Sequence, residues 1–178
     1  MKTKLQYFLE TNKFISIYCN DNMDNFLYGK LLSLNDFEFA LMLISPNGDF
    51  DGILVKEINN IVRIEFDGQY EEKMSKLISF DTEEYCSNID NNDIKRAVLS
   101  LAKNNTKIVS IELQNSQAVN IMGFVEKIEE NLCKIKQVDD YGYYDGYSYV
   151  YISEITQIVY NSNDENRVYR LWKKSFKN

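Results

Sequence analysis

A self-similarity at a fixed displacement of 94 residues limits this chain more than any other feature. Gly29-Lys30-Leu31-Leu32-Ser33-Leu34-Asn35-Asp36-Phe37 returns as Gly123-Phe124-Val125-Glu126-Lys127-Ile128-Glu129-Glu130-Asn131, with apolar and turn-forming positions in step. The same shift carries Ile15, Ile17 and Cys19 onto Val109, Ile111 and Leu113, and Asp51-Gly52 onto Asp145-Gly146. Further on, Glu57-Ile58 reads best against Glu154-Ile155 and Lys73-Met74 against Arg170-Leu171, as if three residues had been added to the second copy. A unit this long, present twice, indicates a duplicated domain and not a solenoid, whose repeats are shorter. The expected organisation is a first domain over residues 1–77, an acidic linker over 78–90 and a second domain over 91–178. Domains of this size bury a modest fraction of their surface, which favours packing on one another or on a second chain.

Within each unit the hydrophobic period changes in a fixed order. Leu5, Phe8 and Leu9 sit at helical spacing, and so do Ile94, Ala97, Val98, Leu101 and Ala102, with Asn91 or Asn92 as the cap. Strict alternation follows at Ile15-Ile17-Cys19 and Val109-Ile111-Leu113, the mark of a strand with one buried face. Residues 20–25 and 114–118 read as loops, and the second strand, over 26–34, carries Gly29 in its interior, as its counterpart carries Gly123. Glycine weakens a strand unless the backbone bends or is approached closely, so the repetition predicts such a place. Third strands are expected at 38–44 and 132–138, fourth at 53–56 and 147–152, fifth at 61–66 and 158–160. Tyr70, Met74 and Leu77, and then Val168, Leu171, Trp172 and Phe176, predict a closing helix for each unit. The fold class is therefore mainly β with short flanking helices.

Composition narrows the chemistry. Histidine is absent, which removes the commonest acid–base side chain and metal ligand. No glycine-rich phosphate loop, nucleophile elbow or zinc spacing occurs, so the expectation is a non-enzyme with no catalytic residue, metal or cofactor. The connection at 139–146, rich in Asp, lacks the twelve-residue ligand spacing of a calcium loop. Carboxylate pairs such as Glu71-Glu72 and Glu129-Glu130 read as solvent-facing. The three cysteines, Cys19, Cys86 and Cys133, have no metal spacing; Cys19 and Cys133 fall at apolar positions and read as small buried hydrophobes in a reducing cytoplasm. No apolar run is long enough to span a bilayer. The net charge of −7 is unevenly shared, −8 over residues 1–90 and +1 over 91–178, and the acidic half repels phosphate backbones.

A short helix feeding five bent strands, with glycine in the second, resembles the Sm-like (Lsm) family of SH3-like small barrels. Gly29 through Leu41 is similar to the family's first motif, and Asn59-Asn60-Ile61-Val62-Arg63-Ile64 to the last strand of its second. The resemblance covers about 60 residues of each copy, and its matched positions are mostly apolar or turn-forming. It implies two tandem five-stranded barrels from an internal duplication, and subunits that join by pairing the fourth strand of one with the fifth of the next. The family binds uridine-rich RNA through an Asn and an Arg-Gly or Lys-Gly. Here Ala40 and Lys134 stand at the Asn position, and Glu57-Ile58 and Glu154-Ile155 near the other. A carboxylate facing an expected phosphate reverses the sign of the interaction, so the resemblance implies a kept fold without the usual RNA site.

Two features remain as candidate binding surface. Tyr141, Tyr143 and Tyr144 in the glycine-punctuated loop offer flat contact area with a polar tip, whereas Tyr147, Tyr149 and Tyr151 share one strand face and are expected to pack on it. At the C-terminus Arg167, Arg170 and Lys174 form a helical stripe beside Trp172, suited either to complementing the helix dipole and docking on the acidic half or to binding nucleic acid. The functional expectation is a cytoplasmic binding or scaffolding protein acting through protein–protein contact or self-assembly, with no membrane association. RNA binding at the C-terminal patch is the alternative.

Overall fold

The computed structural model describes residues 1–20, 22–85, 89–114 and 121–175. Cys86, Phe176 and most of the expected loop at 114–118 lie outside the described residues. The chain divides into two compact units, Met1–Ile94 and Lys95–Asn178. Among the described residues both are mainly antiparallel β, each with two α-helices.

In the first unit, helix α1 (Lys2–Thr11) is followed by β1 (Phe14–Cys19), β2 (Asn22–Leu34), β3 (Glu38–Ile44), β4 (Phe50–Glu57), β5 (Ile61–Glu65) and α2 (Gln69–Leu77). Its strand order is β5-β1-β2-β3-β4. The second unit repeats the plan with α3 (Ile94–Asn104), β6 (Ile108–Leu113), β7 (Ile121–Ile128), β8 (Leu132–Val138), β9 (Tyr144–Tyr151), β10 (Ile155–Tyr160) and α4 (Asn163–Ser175), in the order β10-β6-β7-β8-β9.

Strand register corresponds position by position. Ile15 lies opposite Gly29 and Val109 opposite Gly123; Ala40 opposite Val55 and Lys134 opposite Tyr149; Ile17 opposite Ile64 and Ile111 opposite Ile158. Bulges fall between Leu31 and Ser33 and between Val125 and Lys127. Left-handed residues recur as well, Asn12 with Thr106 and Asp67 with Asn161. The displacement is therefore 94 throughout, and the expected three-residue addition is not there. Ile152, Ile155 and Ile158 recur every third residue, so sliding the second copy by three still sets isoleucine against isoleucine.

Gly29 and Gly123 occupy equivalent places for one steric reason. A Cβ at Gly29 would stand 1.9 Å from the carbonyl oxygen of Met42, and one at Gly123 would stand 2.1 Å from that of Lys136. Close approach by the neighbouring strand, not bending alone, excludes a side chain there.

The expected closed barrel is not what the described residues form. In each unit the order is open, since β5 does not pair with β4 of its own unit, nor β10 with β9. A single 3-10 turn, Ile58–Asn60 or Ile152–Glu154, turns the chain away from the fourth strand, and the short fifth strand goes to the first. The closing helix of each unit covers one face of its strands. Over the first unit Tyr28, Met42, Ile44 and Met74 are buried, with Phe14, Phe26, Phe50, Tyr70, Phe80 and Tyr85 packed around them. Over the second, Ile108, Phe124, Val138 and Val168 are buried beneath Met122, Tyr169 and Trp172. The α1 residues Leu5 and Phe8 are buried, as are Leu99 and Ala102, 94 positions on.

Residues 78–85, expected as linker, pack on the first unit as a strap. Tyr85 stacks on Phe50 at 4.2 Å, and Glu83 ion-pairs at 2.8 Å with Lys30, whose side chain is only 5% exposed. The residue 94 beyond Lys30 is Phe124, and there Trp172 does the covering, ring centroids 4.6 Å apart. No helix among the described residues is long and apolar enough to cross a membrane.

Candidate binding surface

The surface is built on β9, the turn before it and α4. Asp139 fixes the turn: its Oδ1 accepts from the backbone N–H of Tyr141 at 3.0 Å and Tyr143 at 2.8 Å, while Gly142 N–H donates to its carbonyl. With that carboxylate oxygen satisfied by backbone amides, the turn holds Tyr141 and Tyr143 outward, 76% and 61% exposed. Among the described residues no group of three or more acidic or cysteine side chains is arranged to hold a metal ion.

Gly142, at φ +83°, presses against the helix: a Cβ there would be 2.5 Å from the backbone nitrogen of Trp172. The Ser175 hydroxyl, which donates to the Trp172 carbonyl at 2.8 Å, lies 3.4 Å from the Gly142 carbonyl oxygen. The tyrosine turn and the C-terminal end of α4, separate in the sequence, thus form one corner of the second unit.

Helix α4 starts where Ser162 caps it. The Ser162 hydroxyl accepts from the Asp164 N–H at 3.2 Å, and Glu165 reaches back to the Ser162 N–H at 3.1 Å, a capping box legible in Ser162-Asn163-Asp164-Glu165. Glu165 is buried, and its other oxygen accepts from the Ser110 hydroxyl at 2.5 Å, which ties the helix to β6. The same clip occurs in the first unit, from Ser16 to Glu71 at 2.5 Å and from the Gly68 N–H to Glu71 at 3.0 Å. Glu71 is therefore buried, contrary to its expected solvent-facing role, because a third-position helix carboxylate satisfies amides that burial would orphan.

With Glu165 and Val168 turned inward, Arg167, Arg170 and Lys174 lie outward as the spacing implied. Arg167 pairs with Asp164 at 3.1 Å, and Arg170 Nε donates to its own helix at the Asn166 carbonyl, 3.2 Å away. Lys173 lies over the Tyr169 ring at 4.4 Å. Trp172 faces Phe124 and is half-buried, so it anchors the helix and is not a free stacking platform.

Tyr147, Tyr149 and Tyr151 do not pack inward. They are 48%, 64% and 61% exposed, and Tyr144 is 52% exposed. Val150 is buried on one face of β9, and the alternation of the strand sends Tyr147, Tyr149 and Tyr151 to the other, where they stay exposed. Lys134 lies 4.0 Å from the Tyr147 ring and donates to Glu126 at 2.8 Å. That hydrogen bond holds the Glu126 carboxyl below its ordinary range and the Lys134 ammonium above its own. Among the described residues strand β9 has β8 as its one neighbour, and β5, at the end of the first unit's order, has β1. Beside β5, a cleft of about 600 Å³ is lined by Tyr7, Phe8, Val62, Ile64 and Phe66, with Lys4 and Arg63 also lining it.

Sequence reasoning located the loop tyrosines and the cationic stripe but not the cleft beside β5, whose apolar groups come from helix and strand segments some 55 residues apart. Comparison with protein-family models, with curated proteins and with solved structures finds no match.

Proposed function

We propose that this chain is a non-enzymatic scaffolding protein that assembles with copies of itself by strand addition, β9 of one molecule continuing against β5 of another. The observation that carries this reading is that among the described residues β5 and β9 each have a single strand neighbour while presenting exposed apolar or aromatic side chains. An edge of this kind leaves unpaired backbone donors and acceptors, and natural edges are usually blunted by charge, proline or brevity. Strand β9, eight residues long and without proline, carries four exposed tyrosines and one exposed carboxylate, Asp145. Backbone hydrogen bonds would supply the pairing, and the tyrosines its specificity, with the cleft at Tyr7, Phe8, Val62 and Phe66 as their receptacle.

Descent of both units from one Sm-like ancestor by internal duplication belongs to the same proposal, supported by the matching strand order, bulges and glycine positions. So does residence in the cytoplasm, where Cys19 and Cys133 would stay as buried thiols.

Hydrogen exchange at increasing protein concentration tests the pairing. Amides of β5 and β9 are expected to gain protection together, and to lose it in Val62→Lys or Tyr149→Lys. Exchange of both strands independent of concentration contradicts it. Salt-dependent retention of single-stranded RNA, lost on reversing Arg167, Arg170 and Lys174 to Glu, would replace it with the RNA reading.

A further inference from the structure

The two units carry opposite charge at the same corner of their architecture. In the first, the chain leaves α2 after Leu77, where Gly48 of the β3–β4 turn presses on the helix end, and becomes the strap. The strap carries Asp81, Glu83 and Glu84, and the Tyr85–Phe50 stack brings it against the turn that contains Asp49. Glu83 is matched by Lys30, but Asp49, Asp81 and Glu84 are exposed and have no cationic partner among the described residues. In the second unit Gly142 presses on the helix at the corresponding place, and α4 continues past it. The continuation carries Lys173 and Lys174, with Arg170 a turn earlier. None of the three has a carboxylate partner among the described residues, and all are exposed. Whole-unit charge follows the same division: residues 1–94 sum to −9 and residues 95–178 to +2.

From this complementarity we infer that the α4 corner is a second docking surface whose occupant is the acidic strap corner of another copy of this chain. The inference rests on the self-assembly reading and names a further contact within it. Arg170, Lys173 and Lys174 meet Asp49, Asp81 and Glu84 of the neighbouring molecule, with the exposed rings of Tyr141 and Tyr143 at the margin. Opposed patches of this kind steer encounter and fix orientation, and exposed pairs weaken as salt screens them over about 10 Å at 0.1 M. Strand pairing and tyrosine burial do not share that sensitivity, so the two contacts separate experimentally. Because the two corners differ, the contact forms either twice about a two-fold axis in a dimer or head-to-tail in a ring or filament.

Sedimentation velocity of the full chain at low and high salt, on two reversed variants, is the test. Arg170→Glu with Lys173→Glu and Lys174→Glu, and separately Asp49→Lys with Asp81→Lys and Glu84→Lys, are each expected to weaken low-salt association at least tenfold. An equimolar mixture of the two is expected to restore it by charge exchange. All six positions are exposed, and circular dichroism confirms folding of each variant. Failure of the mixture to recover, or association of either variant at wild-type strength, overturns the inference. Loss of RNA retention in the first variant with unchanged mass also overturns it and assigns the cations to nucleic acid. If Val62→Lys and Tyr149→Lys abolish association at every salt while the reversed variants stay wild-type, this contact falls and strand addition stands. The opposite pattern removes strand addition and keeps the contact.

Discussion

Gly29 and Gly123 show how single atoms decide this fold. A methyl group at either would sit inside a neighbouring carbonyl, 1.9 or 2.1 Å away, and the obstacle is backbone, which a rotamer change cannot clear. Gly29→Ala and Gly123→Ala are each expected to cost about 2–3 kcal/mol by overpacking, read as a lowered denaturant midpoint with unchanged slope. Tyr28 is the converse case. Its hydroxyl is buried and has no hydrogen-bond partner among the described residues, and burial, helped by the Glu71 charge, pushes the phenol up to about 12. A phenol whose folded value lies above its unfolded one favours the fold while protonated. That contribution is complete below about pH 10 and is lost as the pH rises toward 12. Tyr28→Phe should therefore leave neutral-pH stability equal or slightly raised and reduce the loss of stability between pH 10 and 12, seen in urea titrations at each pH. An unchanged alkaline loss in Tyr28→Phe would show that other groups, such as the burial-raised Tyr160, account for it.

Element type and order were legible because hydrophobic period changes with secondary structure, and both helices and the first and third strands fall close to their expected bounds. Three of the features that were not have identifiable reasons. The three-residue slide arose because isoleucine recurs at that interval in the second unit. Burial of Glu71 went unread since its first-unit cap residue is Gly68, which has no side chain to complete the capping-box signature that Ser162 shows. The strap lacks periodicity, and its place depends on one ion pair and two aromatic contacts. Glu83 reaches a Lys30 ammonium that is otherwise shielded from water. Glu83→Gln leaves that cation unpaired and is expected to cost about 1–2 kcal/mol, whereas Lys30→Met, which makes the site resemble Phe124 of the second unit, should change stability by less than about 1 kcal/mol. Equal effects of the two substitutions in thermal unfolding would mean that the ion pair does not hold the strap.

At the scale of the molecule, the sequence reading expected Tyr147, Tyr149 and Tyr151 to pack on the strand face they share, and they are exposed. Alternation along β9 was visible in Tyr147, Tyr149 and Tyr151; the register sets Tyr147 across from Lys136 and in line with Phe124, on which α4 anchors, yet the three rings on that face are exposed. A chain with exposed tyrosines on one edge strand and an apolar cleft beside another has the parts for head-to-tail association. Sedimentation equilibrium of the wild-type chain beside Tyr149→Lys measures this most directly. The account predicts a wild-type mass that rises with concentration above the 20.9 kDa of one chain and a variant that stays near it. A wild-type chain that remains at 20.9 kDa up to about 100 µM, where contacts of even modest affinity are populated, would contradict it.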